Sequence, residues 1–219
     1  MNVLIVGGNR GIGRALVQGY LNRGDSVYAT CRTTHGDLAT SDATVISGID
    51  VRRDEDAALL SQQLDGLKLD LVIINAGVLK RDTLEDLSFD DIRLQIEVNA
   101  LGPLRIARAL LPHLKAGSKL GIITSRMGSI TDNTSGNYYG YRMSKAAVNC
   151  AGASLAADLE PSGVAIALLH PGYVKTDMTG GNGDVLPDFS ARGLMARMEA
   201  LSMESTGGFW HAQGEPLPW

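Results

Sequence analysis

Tyr141 and Lys145 stand four residues apart in the string Tyr-Arg-Met-Ser-Lys, and on a helix they would share one face. A free phenol titrates near about 10, too high for acid–base work at neutrality, whereas a neighbouring ammonium favours phenolate and lowers that value. Such a pair can pass a proton to or from an oxygen. The spacing alone is only suggestive, so its neighbours matter. Ser125 lies just past the apolar run Lys119–Thr124, where a hydroxyl can donate to a carbonyl oxygen and hold it beside the tyrosine. Asn99 sits inside a stretch that reads as helix, where asparagine is mildly unfavourable. A residue of this kind often bonds water or a backbone group.

A second group of residues suits a phosphate. Gly7 to Gly13 reads Gly-Gly-Asn-Arg-Gly-Ile-Gly, after an apolar strand and before a helix. Glycines permit a tight turn and close backbone approach to a pyrophosphate, and the helix N-terminus then faces the anion. The candidate cradle is Gly7, Asn9, Arg10, Gly11, Ile12 and Gly13. The end of the second strand is where such a fold reads a ribose: an acid favours NAD, a basic residue accommodates the 2′-phosphate of NADP. Here Cys31 occupies the acid's place and Arg32 follows it. Arg10 and Arg32 could chelate one phosphate, so NADP(H) is expected over NAD(H); the alternative is two solvated surface arginines. Asp50 and Val51 are placed for an adenine ring, and Asn75, Ala76 and Gly77 let backbone pass under a flat ligand. After the sixth strand, Pro171, Gly172, Val174 and Thr176 form a turn that can offer N–H groups and a hydroxyl to an amide.

These residues need elements to position them. Strands are expected at Asn2–Val6, Ser26–Cys31, Val45–Ile49, Leu69–Asn75, Lys119–Thr124, Val164–His170 and Phe209–His211. Helices are expected at Gly11–Asn22, Asp54–Leu64, Ser88 to about Leu114 with a kink at Pro103, Tyr139–Leu159, and Leu186–Ser205. Thr33–Thr44 reads as a polar loop with at most a short helix, which leaves the sheet thinly covered there. The alternation predicts a single α/β domain over residues 1–219, a doubly wound, mostly parallel sheet of Rossmann type with about seven strands and helices on both faces. Ligands on such sheets sit beyond the carboxyl ends of the strands.

Composition agrees. The 219 residues are 44% hydrophobic and 20% charged, enough apolar content for a sizeable core. The net charge of −4, with no basic block, argues against nucleic acid as a partner. No signal peptide or membrane span is expected, which makes the cytoplasm the default compartment. Cys31 and Cys150 read as two buried thiols in a reducing compartment. No metal is expected, because His35, His113, His170 and His211 are scattered and pair with no Cys or acid at ligand spacing. His170 reads as a structural histidine.

Taken together, these motifs resemble the short-chain dehydrogenase/reductase family of the single-domain kind, nearly end to end. The likeness is carried by Gly7-x-x-x-Gly11-x-Gly13, Asn75-Ala76-Gly77, the set Asn99, Ser125, Tyr141 and Lys145, and Pro171-Gly172-x-x-x-Thr176. GYRMSKAA and GGNRGIG look most like the branch of carbonyl reductases, sniffer and C-factor. Val6 and Ile74 depart from the family's usual Thr and Asn, removing side-chain bonds that brace two loops. The gap between Ser125 and Tyr141 is longer than common, so Thr131–Tyr139 should bulge over the site's mouth.

The resemblance implies an NADPH-dependent oxidoreductase reducing an aldehyde, ketone or quinone to an alcohol. Tyr141 would be the general acid; Lys145 would lower its pKa and bind the nicotinamide ribose; Ser125 would orient the carbonyl; Asn99 would hold a relay water. The other class of reading is an NADP(H)-binding sensor with little turnover, against which the intact Tyr141 argues. Met127, Tyr139, Tyr173 and Met178 lie near the implied pocket. Residues 178–205, with Leu186, Phe189, Leu194, Met195 and Met198, would cover the substrate, the alternative being plain core packing. The resemblance also implies a homodimer or homotetramer.

Overall fold

The apolar runs do form strands, and their pairing decides where the polar residues between them meet. The computed structural model describes residues 1–34 and 36–219, apart from the side chains of residues 36 and 37; His35 lies outside the described residues. The strands are β1 (Asn2–Val6), β2 (Ser26–Cys31), β3 (Thr44–Ser47), β4 (Leu71–Ile74), β5 (Lys119–Ile123), β6 (Ala165–His170) and β7 (Gly208–His211). They build one sheet in the order β3-β2-β1-β4-β5-β6-β7. Every pairing is parallel, so the sheet is fully rather than mostly parallel. The order reverses between β1 and β4, which opens a crevice beyond their carboxyl ends.

The helices are α1 (Gly11–Asn22), α2 (Gly36–Ala39), α3 (Asp54–Gln63), α4 (Phe89–Ile96), α5 (Gly102–Leu110), α6 (Tyr139–Leu159) and α7 (Pro187–Ala200). One face of the sheet, with Leu4, Val72, Ile74 and Ile122, packs on α3, α5 and α6. The other, with Val3, Ile5, Leu71 and Ile73, packs on α1 and α7. Burial on both faces is why the strand sequences carry no polar alternation. Leu4, Ile5, Ile73 and Ile74 are at most 1% exposed, and burying such a side chain stabilises by about 1.5–3 kcal/mol. The one-turn α2 matches the thin cover expected over that sheet edge.

Two expected helices and one expected buried thiol differ. The long helix from Ser88 is α4, then a π-helical turn at Glu97–Leu101, then α5. Pro103 has no N–H to give the Asn99 carbonyl, and the chain absorbs the loss by widening, with the Gly102 N–H reaching the Glu97 carbonyl. The last long helix ends at Ala200 and is followed by a separate 3₁₀ turn, Met203–Ser205. Cys31 is buried as expected, but Cys150 is exposed, on the outer face of α6.

Leu194 and Met198 are fully buried, so core packing accounts for them. A Cβ at Gly121 would come within 2.7 Å of the Met198 sulfur, and one at Gly19 within 2.6 Å of the Met195 sulfur. Of the large apolar residues in the segment expected to cover a substrate, Met178, Leu186, Phe189 and Met203 are exposed, at 40%, 62%, 48% and 37%. The chain's last residue also has a place: the Trp219 ring lies 5.5 Å from that of Phe209. Its carbonyl accepts from Ser129 Oγ and Thr131 N. No described helix is long and apolar enough to cross a membrane.

Candidate active site

The glycine loop turns as its composition requires. Gly7 and Gly11 have φ of +87° and +52°. A Cβ on Gly13 would sit on the Gly7 carbonyl, so glycine is required there for the loop to close on the first turn of α1. The N-cap residue Arg10 makes no side-chain cap hydrogen bond to α1, and the first turn of α1 holds no acid, which suits it to face an anion. The loop is tied to its neighbours. Asn75 Nδ2 donates to the Gly7 carbonyl at 2.9 Å, and Asn9 Nδ2 to the Thr33 carbonyl at 3.1 Å. Gly7 N–H reaches Thr30 Oγ1 at 3.2 Å, so a hydroxyl on β2 meets the loop that Val6 cannot brace. A Cβ on Gly11 would touch Thr176 at 3.1 Å, which brings the segment after β6 over the same loop.

Arg10, Ile12 and Arg32 lie around this crevice. Arg10 and Arg32 are both exposed. Arg10 lies 3.8 Å from Asp177, both side chains well exposed. Asp50, expected at the end of the third strand, lies three residues past β3, and its carboxylate is held by Arg52 at 2.5 Å. That hydrogen bond keeps it below the usual carboxylate range, with Arg32 adding a weaker pull. Val51 is buried against Gly102, where a Cβ would come within 2.9 Å of it.

At the other end of the crevice, Ser125, Tyr141 and Lys145 converge. Ser125 is extended and buried, and its Oγ accepts the Met127 N–H at 3.1 Å. The loop carrying it packs directly on α6: a Cβ on Gly128 would lie 2.7 Å from the Lys145 carbonyl carbon. Burial pushes the Tyr141 hydroxyl up to about 12, partly offset by a hydrogen bond with Ser125. Burial also pushes the Lys145 ammonium down to about 8. Its Nζ donates to the Ile123 carbonyl at 3.0 Å and lies 5.7 Å from the Tyr141 ring centre. Desolvation therefore dominates the phenol here, in place of the expected lowering by this ammonium.

Asn99 sits in the π-helical turn and is 1% exposed. Its Oδ1 accepts the Val78 N–H at 2.8 Å, and its Nδ2 donates to the Val78 carbonyl at 2.8 Å and Ser144 Oγ at 3.0 Å. The side chain thus pins the strand-end segment Asn75–Val78 to α6. What Pro103 leaves without its helical donor is the Asn99 main-chain carbonyl. Gly77 passes close by: a Cβ there would be 3.3 Å from Asn99 Oδ1 and 3.9 Å from Lys145 Nζ. Pro171 and Gly172 (φ +87°) form the turn after β6, with the Pro171 carbonyl fixed by Ser190 Oγ at 2.7 Å. Val174 is buried and bridges to Val185.

Two supports went unnoticed in the sequence. Asp82 is buried and caps α6, accepting from Tyr139 N at 2.5 Å and Gly140 N at 3.1 Å. It lies 57 residues before Tyr139, and no local pattern marks it. Arg142 gathers the insert before α6, donating to the Gly136 and Asn137 carbonyls at 3.2 and 3.0 Å and to Ser135 Oγ at 2.8 Å. His170 is part-buried with Nδ1 unpartnered, its ring 4.9 Å from that of His211. Burial, and behind it the nearby His211, Arg126 and Lys145, pushes His170 down to about 3. Among the described residues no three His, Cys, Asp or Glu side chains gather as metal donors.

The short chain dehydrogenase family matches residues 1–185. A 1-hydroxy-2-glutathionyl-2-methyl-3-butene dehydrogenase of Rhodococcus sp. is 43% identical over 223 residues, 99% of each chain. Carbonyl reductase Sniffer of D. melanogaster superposes with a TM-score of 0.92 at 30% identity, covering 100% of this chain and 99% of that one. An NADPH-bound carbonyl reductase from chicken fatty liver superposes with 0.89 at 30% identity, covering 100% and 98%. With the fold and the ordered motifs agreeing along the chain, the protein belongs to the short-chain dehydrogenase/reductase family of oxidoreductases.

Proposed function

We propose that the protein is an NADP(H)-dependent carbonyl reductase, converting an aldehyde, ketone or quinone to the alcohol with Tyr141 as proton donor. The observation that carries this reading is the convergence of Ser125, Tyr141 and Lys145 beside Gly77, on the crevice that the glycine loop opens. The cradle fits a dinucleotide: Gly7 and Gly13 leave backbone where side chains would block it, and α1 begins without an acid in its first turn or a side-chain bond from its N-cap residue. Its backbone N–H groups would hold the pyrophosphate, and Arg10 and Arg32 the 2′-phosphate. Val51 and the Asp50 backbone would meet the adenine, because the Asp50 carboxylate is occupied by Arg52. Asn75 to Gly77 would underlie the nicotinamide ribose, and Pro171 to Thr176 the carboxamide.

When bound, the cofactor supplies the hydride. Ser125 donates to the carbonyl oxygen and fixes it beside the Tyr141 hydroxyl. Tyr141 is a phenol at neutral pH in this environment, the form that reduction needs, and it gives its proton to the oxygen as charge develops there. Lys145, mostly protonated below about 8, keeps N–H groups for the ribose hydroxyls and favours the resulting phenolate. The Asn99 carbonyl, rather than its fully engaged amide, would hold the water that returns a proton from solvent.

The Rhodococcus relative points to a second reading, oxidation of a glutathione-bearing alcohol, which Arg192 and Arg197 of α7, lining one cavity, favour. A homodimer also fits, with exposed Leu104 on α5, Leu101 and Leu111 at its two ends, and Met143 on α6 offering an apolar face to a second copy. Light scattering would read that state. The function itself is tested by NADPH consumption against a panel of aldehydes, ketones and quinones. Tyr141→Phe should lower turnover by about 10²–10⁴-fold and leave NADPH affinity within about twofold. Turnover retained in that variant would sink the assigned acid.

A further inference from the structure

Beyond the turn Pro171–Tyr173 lies a cavity of about 530 Å³, walled by one face of α7 and the turn that follows β7. It starts at the backbone that the reading above gives to the carboxamide. Its charged lining is unusual for a chain of net charge −4: Arg192 and Arg197 project from α7, against a single carboxylate, Asp184. Among the described residues neither arginine forms an ion pair. Arg197 Nε is buried with no hydrogen-bond partner. Its guanidinium lies against the Gly214 turn, where a Cβ would be 3.3 Å from Nη1. A buried guanidinium N–H without an acceptor is costly, and an anionic ligand or water would relieve it. Arg192 lies 5.9 Å over the Phe189 ring, which orients its fork without neutralising it. Gln213, exposed at the rim, adds an amide.

Two guanidinium groups, one carboxylate and an amide around a cavity of this size match an arm carrying carboxylates, an ammonium and peptide bonds. We propose that this cavity is a subsite for an amino-acid-like or short-peptide arm of the substrate, with Arg192 and Arg197 taking its carboxylates and Asp184 its ammonium. Calling the arm part of a substrate rests on the oxidoreductase reading; the binding itself does not. Arginine suits this task because its planar fork pairs with a carboxylate through two N–H bonds.

The test is calorimetric titration of S-methylglutathione and of its dimethyl ester into the protein, with Arg192→Ala and Arg197→Gln as variants. The free acid should bind wild type at least about tenfold more tightly than the ester, one charge-assisted pair being worth that or more. Each variant should lose about tenfold for the acid and stay within about twofold for the ester. Arg192 is exposed, so its variant tests the idea even if Arg197→Gln fails to fold. Equal binding of acid and ester, absence of binding, or undiminished acid binding in Arg192→Ala would each overturn the subsite. Failure of the oxidoreductase reading would show separately, as no NADPH turnover with neutral aldehydes.

Discussion

The two ends of the crevice are built in opposite ways. At the Tyr141 end the groups are buried and over-braced: the Asn99 side chain is fully bonded, Gly128 lies against Lys145, and Asp82 caps the helix. At the Arg32 end the cations are exposed, the covering helix is one turn long, and the N-cap residue of α1 makes no side-chain cap bond. Proton transfer needs shifted pKa values and fixed distances, which burial and close packing supply. Phosphate binding needs charge and open backbone N–H groups, which survive only where the protein has left them unsatisfied.

Acid should separate the two ends most strongly. His170 titrates near 3 when folded and near about 6.5 when unfolded, so the unfolded chain binds more protons between those values. Stability is therefore held above about pH 6.5 and lost as pH falls toward 3, by at most about 5 kcal/mol from this group. Urea titrations of wild type and His170→Asn across that range should diverge; parallel curves would mean the histidine is not held neutral. Gly128→Ala comes next. Its methyl would lie 2.7 Å from α6 backbone, and the overpacking should cost about 2–3 kcal/mol and depress turnover together. Unchanged melting would show that the Ser125 loop moves freely.

At the exposed end, Arg32→Asp should raise the NADPH Kd about tenfold or more, with far less change for NADH and little for melting. Equal losses for both cofactors would remove Arg32 from the 2′-phosphate. The smallest effect expected is that of Asp82→Ala. It should lower stability by about 1 kcal/mol through the lost cap and reduce turnover by displacing Tyr141. Lost stability with normal kinetics would make Asp82 a cap and nothing more.

Legibility in the sequence followed the same division. The strand runs, the glycine loop and the Tyr–Lys spacing are local patterns, and α6 spans Tyr139–Leu159 as its periodicity implied. The π-helical turn was legible only as a kink at Pro103, because the sequence does not say how a helix absorbs a missing N–H. Asp82 was invisible because its cap joins residues far apart in the chain. Cys150 misled because its apolar neighbours did not reveal which face of α6 it takes. The Met-rich segment divided between core and surface according to what α7 packs against, chiefly Gly19 and Gly121.

By itself, then, the sequence determined the parallel α/β sheet and the order of polar residues along its carboxyl edge. Hydrophobic periodicity and turn chemistry act over a few residues and so can be read in one dimension. Tertiary structure alone decided which of those residues are buried, which carbonyl the proline freed, and which arginines have no ion pair among the described residues. Desolvation and hydrogen-bond completion depend on neighbours distant in the chain, and only the packed fold brings those neighbours into place.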